Sequence, residues 1–124
     1  MADACCGAKL FDQSFRKAVQ QIFGHELQPI PPDHEMFHSM QGFDVRQVRR
    51  RIPAPGQTSV LRSEETIGEP LFEGIEVNGR YVIVYSKYDI SCALERQQTV
   101  ACAGYLNEDA LKLAVNVVLY ALFE

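Results

Sequence analysis

Two short segments of this 124-residue chain place cysteines beside an aspartate, and they carry the residue types best suited to chemistry. The first is DACC, which ends in Cys5 and Cys6, and the second is YDISC, which contains Asp89 and Cys92. Each follows a segment with the pattern of a β-strand, and in open α/β sheets ligands bind beyond the carboxyl ends of the strands. We therefore predict that Cys5 or Cys6 lies at the same sheet edge as Asp89 and Cys92.

Cys102 follows Cys92 after a short loop and is a further thiol that this edge could gather. Three thiols and a carboxylate are suitable ligands for a soft metal ion, and two thiols can pair as a redox disulfide. The spacing of the cysteines matches no zinc-ribbon pattern, so the sequence assigns no metal ligand and implies no cofactor. The alternative is that the thiols are only buried and that Asp89 caps the turn after its strand.

A third segment, HEMFH, formally matches the H-E-x-x-H pattern of zinc proteases through His34, Glu35 and His38. Such sites need a long helix, whereas three prolines stand just upstream of this segment and Gly42 follows it. The sequence therefore argues against a protease. We expect His34 instead to line the same hollow as the cysteines.

The small residues around Cys5 and Cys6 also have the pattern of a nucleophile elbow, a sharp strand-to-helix turn that presents a reactive side chain. A cysteine nucleophile needs a partner that lowers its pKa. A histidine is the usual partner, but His25, His34 and His38 all lie in the first third of the chain and none follows Cys92. Small side chains packed under a helix are the simpler interpretation.

Composition and charge restrict the class of protein and of partner. Apolar residues make up 47% and charged residues 23% of the chain, an ordinary balance for one globular domain. The net charge of −4 gives no reason to expect nucleic acid as a partner. The chain as written shows neither a signal peptide nor an apolar run long enough to span a membrane, so we expect a cytoplasmic location. Without an export signal, four cysteines indicate thiols or ligands rather than a disulfide framework.

The first helix and the hairpin are well marked. Apolar residues recur at spacings of three and four between Phe11 and Phe23, and Gly24 is placed to end that helix. Asn78-Gly79 is the preferred pair for a type I′ turn between two strands. The second strand, residues 81–85, is apolar at every position, which indicates burial on both faces.

The last helix is predicted from a cap at Asn107 to about Leu122. Its polar stripe, Lys112, Asn116 and Tyr120, is expected to face water, with apolar partners around the rest of the helix. A doubly buried strand and so apolar a helix demand a large sheet with helices on both faces.

The middle of the chain has fewer signals. Asp33 is placed to cap a short helix with Met36, Phe37 and Met40. From residue 44 to residue 70 the sequence shows no periodicity, apart from a short strand expected at residues 58–61. The arginines of residues 46–51 indicate a solvated loop, with phosphate binding as the alternative.

The order of these motifs resembles the bacterial family DUF4159, a domain of unknown function. The resemblance runs through ACCG, PPDHEMF, GIEVNGRYVIVYSKYDISCALE, CAGY and EDALKLAVNVVLYAL. It implies an α/β fold similar to the class I glutamine-amidotransferase-like superfamily, a three-layer flavodoxin-like parallel sheet between helices. It also implies that residues 1–124 are a single partial domain without its N-terminal strands, and that the parent protein is envelope-linked.

Two functions follow from these features. The first is a non-catalytic binding or assembly module that associates with itself or with the missing N-terminal half. The alternative is a degenerate hydrolase or amidotransferase relative that keeps a ligand or thiol site at the strand ends. The candidate site residues under either interpretation are Cys5, Cys6, His34, Asp89, Cys92 and Cys102.

Overall fold

The described part of the chain forms two β-sheets and three helices, a mixed α/β arrangement. A computed structural model describes residues 1–38, 41–53, 63–96 and 102–123. The strands are β1 (Ala2–Asp3), β2 (Gln28–Pro29), β3 (Val48–Pro53), β4 (Ser63–Gly68), β5 (Phe72–Val77), β6 (Arg80–Ser86) and β7 (Gly104–Tyr105). The helices are α1 (Lys9–Phe23), the single turn α2 (Ser91–Leu94) and α3 (Asn107–Phe123), and 3-10 turns cover Cys5–Gly7 and Glu35–Phe37.

The larger sheet has the strand order β1-β6-β5-β2, and its parallel pair positions the candidate site. β1 runs parallel to β6, with Ala2 opposite Tyr85 and Asp3 opposite Ser86. The backbone N–H of Ala4 continues this pairing by donating to the carbonyl of Ser86 at 3.0 Å. The two cysteine-bearing segments therefore leave the sheet side by side, because parallel strands end at the same edge.

Helix α1 covers one face of this sheet and helix α3 covers the other. On the first face, Val19 and Phe15 pack against Tyr85. On the second face, Leu113 shares a buried cluster with Val84. Neighbouring residues of β6 thus serve opposite layers, because successive side chains of a strand point to opposite faces.

Polar contacts fix α1 on the sheet in addition to its apolar face. The Arg16 guanidinium donates to both carboxylate oxygens of Glu73, at 3.0 and 2.6 Å, and the Tyr85 hydroxyl donates to Asp12 at 2.8 Å. The helix predicted from the sequence is confirmed, and Gly24 ends it with a left-handed φ of 72°. The start of α1, and with it the preceding cysteine turn, is held against the end of β6.

The hairpin between β5 and β6 is confirmed. Asn78 and Gly79 have φ values of 55° and 78°, as a type I′ turn requires. The expectation that the second strand is buried at every position is wrong at Val82, which is 53% exposed. Ile83 pairs with Ile75 and Tyr81 pairs with Glu76, so Val82 is the extra residue of a β-bulge.

Helix α3 has the predicted length, but two of the three residues of its polar stripe, Asn116 and Tyr120, face inward. Asn116 is 1% exposed and Tyr120 is also buried, whereas apolar side chains of this helix face outward at Leu111, Val118 and Leu122. Asn116 can be buried because its amide donates to the carbonyls of Met36 and Phe43 at 2.9 and 2.7 Å, and its oxygen accepts the Phe43 N–H at 2.8 Å. Hydrogen bonds to the backbone remove the cost of burying the amide. The self-association expected from so apolar a helix stays a prediction.

The middle of the chain contains more β-structure than its sequence indicates. β3 and β4 pair antiparallel, and β7 joins β3 on its other side. The expectation of a solvated loop is wrong for the arginines of β3: Arg49 bonds to Asp109, and Arg50 lies over the Tyr88 ring. The strand expected at residues 58–61 and the Met40 side chain lie outside the described residues.

The larger sheet is mixed rather than all-parallel, since β5 runs antiparallel to both β6 and β2. This differs from the parallel sheet that the family resemblance implies. The flavodoxin-like three-layer fold and the missing N-terminal strands stay predictions. Of the described helices, none combines the length and the apolar character that crossing a membrane requires.

Candidate thiol–disulfide site

The first wall of the site is a tight turn between β1 and α1. Cys6 adopts a left-handed φ of 52°, which is uncommon for a residue other than glycine, and Gly7 follows with a φ of 72°. A Cβ on Gly7 would lie 3.0 Å from the Cβ of Ala103, so a glycine also allows the chain before β7 to approach closely. The turn is hydrogen-bonded by the N–H groups of Gly7 and Ala8, which donate to Ala4 and Cys5.

Asp89 holds the two cysteine segments together. Its side chain is fully buried. One carboxylate oxygen accepts the N–H of Cys6 at 3.1 Å and that of Cys92 at 3.2 Å, and the other accepts the N–H of Ala93 at 3.0 Å. The sequence prediction of a cap after the strand therefore describes part of its role, and the bond to Cys6 is an additional contact across 83 residues of chain.

Asp3 makes the reciprocal contact, and sequence analysis missed it. Its carboxylate accepts the N–H groups of Ile90 and Ser91 at 2.8 and 2.9 Å, and the Ser91 hydroxyl at 3.1 Å. Each cysteine segment thus supplies one aspartate that binds backbone N–H groups of the other. The signal was present, since DACC and DISC both place an aspartate two or three residues before a cysteine.

Cys6 and Cys102 form a disulfide that joins residues 96 positions apart, with a Cα–Cα separation of 4.2 Å. The sequence expectation that the cysteines are thiols or ligands is therefore wrong for this pair. The reason lies in the backbone. Asp89 forms a parallel bridge with Gly104, and the Ala103 N–H donates to the Cys6 carbonyl at 3.2 Å. The strand leading into β7 is thereby placed beside the cysteine turn.

Cys5 and Cys92 are free thiols beside this disulfide. The sulfurs of Cys5, Cys6 and Cys92 and one oxygen of Asp89 all lie within 4.8 Å of one another. The hydrogen bond of Cys92 with the Cys5 side chain, its burial and the adjacent Asp89 carboxylate raise the pKa of the Cys92 thiol to about 12. Cys92 is therefore a neutral thiol near pH 7. Of the two free thiols, Cys5 is the more exposed to solvent.

His34 does not join this cluster, and its predicted place is wrong. Its ring packs edge-on against Tyr81 and Tyr120, at centroid distances of 5.4 and 5.6 Å. Tyr81 lies at the start of β6, whereas the cysteines lie beyond its end, about 20 Å away at the rise of an extended strand. His34 Nδ1 accepts the Met36 N–H at 3.0 Å, so His34 caps the 3-10 turn, the place the sequence assigned to Asp33.

The other histidines are also engaged elsewhere. His25 follows the far end of α1 and lines a separate hollow with Gln20 and Tyr81. His38 Nε2 lies 2.7 Å from the Asp33 carbonyl, and the segment between His34 and His38 is one 3-10 turn. The argument from sequence against a zinc protease agrees with this geometry.

A hollow of about 340 Å³ lies beside the residues that follow the two bonded cysteines. It is lined by Gly7 and Ala103, which directly follow the two bonded cysteines, and by Lys9, Lys87 and Tyr88 among others. Two lysines and the Asp12 carboxylate lie at its wall, so the charge of the lining is positive by one. The arrangement as a whole can undergo thiol–disulfide exchange, and it offers sulfur ligands once the disulfide is open.

Comparison with known proteins gives one match. No curated protein and no solved structure matches the chain. The family described as Domain of unknown function (DUF4159) matches residues 1–122, which confirms the resemblance seen in the motifs. The chain therefore belongs to this family.

Proposed function

We propose that the domain is a non-hydrolytic binding module whose working centre is a thiol–disulfide site at the strand ends. The observation that carries the proposal is the packing of the Cys6–Cys102 disulfide against two free thiols and a buried carboxylate. A disulfide needed only for stability requires no further thiols beside it. Free thiols within a few ångströms of a disulfide allow its sulfurs to exchange partners.

The exchange partner is an external dithiol, and Cys6 is the sulfur that it attacks. Cys102 is only 1% exposed, whereas Cys6 is half-buried, so an incoming thiolate reaches Cys6 Sγ first. That thiolate forms a bond to Cys6 Sγ, and the Cys6–Cys102 bond breaks with its electron pair on Cys102, which takes up a proton. The second thiol of the partner, as thiolate, then displaces Cys6. The partner leaves as a disulfide, and the protein gains two thiols.

The hollow beside the disulfide supports this direction of attack. Lys9 and Lys87 at its wall outnumber the one carboxylate there, that of Asp12, and attract an incoming thiolate. Reduction removes the link between the cysteine turn and the chain before β7. The oxidation state of the site therefore controls how tightly these two segments are held together.

Two observations favour this function over the hydrolase alternative. The three histidines bond or pack elsewhere, so none of the described contacts gives a cysteine an imidazole base. Cys92 has a raised pKa, which is the opposite of what a nucleophilic cysteine needs. The amidotransferase-like resemblance enters the proposal through fold alone, supported by the parallel pair β1–β6 and by a site at its carboxyl end.

The test is reversible thiol counting on the folded protein. The folded protein is equilibrated with a small dithiol and its disulfide at graded ratios, and the exchange is stopped with acid. It is then alkylated with excess maleimide in denaturant, so that the buried Cys102 is also labelled, and weighed by mass spectrometry. We expect a two-electron transition from two labelled thiols, Cys5 and Cys92, to four, and a return to two when the oxidised partner is restored.

Cys6→Ser is the matched control, because it removes the attacked sulfur and should show no two-electron transition. Cys5→Ser should keep the transition with one label fewer. A disulfide that opens only when the protein is denatured would be a structural link, and that result would overturn the proposal.

A further inference from the structure

The thiol–disulfide site also has the dimensions of a metal site in its reduced state. Zinc in proteins is bound tetrahedrally with Zn–S distances of about 2.3 Å, which separates sulfur ligands by about 3.8 Å. The sulfurs of Cys5, Cys6 and Cys92 and an oxygen of Asp89 already lie within 4.8 Å of one another. Small changes of side-chain rotamer would bring these four atoms onto one ion.

We propose that the reduced domain binds one thiophilic divalent cation of the zinc class through Cys5, Cys6, Cys92 and Asp89. This inference rests on the proposed function, because Cys6 becomes a ligand only when its bond to Cys102 is opened. Cys102 then acts as the gate of the site and is not one of its ligands.

The surrounding backbone is already arranged for such a site. The N–H groups of Cys6 and Cys92 both donate to Asp89, so two ligand-bearing residues are fixed by the third. Cys5 and Cys6 lie on one tight turn, and Cys92 is the second residue of the facing helical turn α2. Because the backbone around the ligands is already ordered, metal binding costs less conformational entropy. The spacing of the cysteines in the sequence matches no known zinc pattern, so the convergence of these ligands is visible only in the structure.

Charge favours a cation of this class. Three thiolates and a carboxylate concentrate four negative charges, which a doubly charged ion offsets in part. Sulfur ligands select soft or borderline ions such as zinc and cadmium over magnesium and calcium. Binding displaces the thiol protons, including that of Cys92, because the ion replaces them on sulfur.

Redox chemistry then controls occupancy. An external disulfide accepts two electrons from Cys6 and Cys102, the S–S bond forms between them, and the external disulfide leaves as a dithiol. Cys6 is lost as a ligand in the same step, so the ion is released. The domain thus binds metal when reduced and releases it when oxidised.

The test uses Co²⁺ as a spectroscopic probe and Zn²⁺ in competition with a chromophoric chelator, both under anaerobic conditions. Reduced full-length protein, freed of small thiols, should bind one ion and give the absorption of tetrahedral Co²⁺ with sulfur ligands. Oxidised protein should bind at least about tenfold more weakly, the minimum loss expected when a metal site is disturbed. Cys5→Ser and Cys92→Ser should each weaken binding by at least as much.

Cys102→Ser is the decisive variant, because it leaves all four proposed ligands in place and cannot lock Cys6. It should bind the ion without any prior reduction, and circular dichroism should show that it is folded. Reduced protein that labels at four thiols but binds no ion would overturn the metal site and leave the exchange function standing. Wild type that binds equally well before reduction, with Cys6 and Cys102 still linked, would refute Cys6 as a ligand and leave the exchange function standing. Binding lost in Cys102→Ser as in Cys5→Ser would refute the ligand assignment.

Discussion

Replacing Asp89 by alanine is expected to lower the free energy of unfolding by at least about 3 kcal/mol. The carboxylate is fully buried and accepts three backbone N–H groups, those of Cys6, Cys92 and Ala93. Each buried donor left without an acceptor costs about 1–3 kcal/mol, and a charged acceptor makes the lost bonds stronger than average. Urea unfolding followed by circular dichroism measures the change.

One further variant separates the loss of the acceptor from the loss of charge, and a second serves as a control. Asp89→Asn keeps one acceptor oxygen but turns an NH₂ group toward a backbone donor, so it should be destabilised less than the alanine variant. Asp44→Ala is the matched control, because Asp44 is exposed and its bonds within the described part of the chain are to Arg46, two residues away. It should unfold like the wild type. If Asp89→Ala also does, Asp89 does not hold the two segments together.

Opening the Cys6–Cys102 link is expected to cost about 2–4 kcal/mol of stability. The two cysteines are 96 positions apart, so the bond restrains a long loop of the unfolded chain. Wild type should therefore unfold at lower urea when a reductant is present. Cys102→Ala should unfold near the reduced wild type and should not respond to the reductant.

Cys5→Ala provides the comparison for this second prediction. Cys5 is an exposed free thiol, so its loss should leave both the stability and the response to reductant nearly unchanged. If reductant leaves wild-type unfolding unchanged, the two sulfurs are not bonded in solution or the bond does not restrain the chain.

Periodicity and turn chemistry predicted the elements whose signals are local. The helix before Gly24, the Asn78-Gly79 hairpin and the last helix all depend on spacing within a few residues, and all are present. β3 and β4 were missed because their residues, VRRRIP and SEETIG, are largely polar. Such strands are specified by pairing with each other rather than by an apolar pattern.

The prediction that the polar residues of α3 face water failed for a related reason. Polarity alone indicated that Asn116 faces water, but its amide is satisfied by the backbone of a segment more than seventy residues away. No local pattern carries that information. In the same way, the apolar pattern predicted that Val82 is buried, and it is exposed because a bulge shifts the register of its strand.

The candidate site was predictable to the extent that it depends on strand ends. The rule that ligands gather beyond parallel strands placed Cys5 or Cys6 beside Asp89 and Cys92, and in the structure both cysteines lie there. The rule says nothing about which thiols pair, because the Cys6–Cys102 bond depends on the parallel bridge at Asp89 and Gly104. It also could not place His34, whose segment follows β2 on the far side of the sheet.

The central claim is that one site holds all four cysteines, two as a disulfide and two as free thiols. Cys6 is bonded to Cys102, whereas Cys5 and Cys92 are free. Peptide mapping of the folded protein, alkylated before digestion without reduction, tests it most directly. We predict one linked pair of peptides that joins Cys6 to Cys102, with alkyl groups on Cys5 and Cys92. Alkyl groups on both Cys6 and Cys102, or a link between any other pair, would contradict the account.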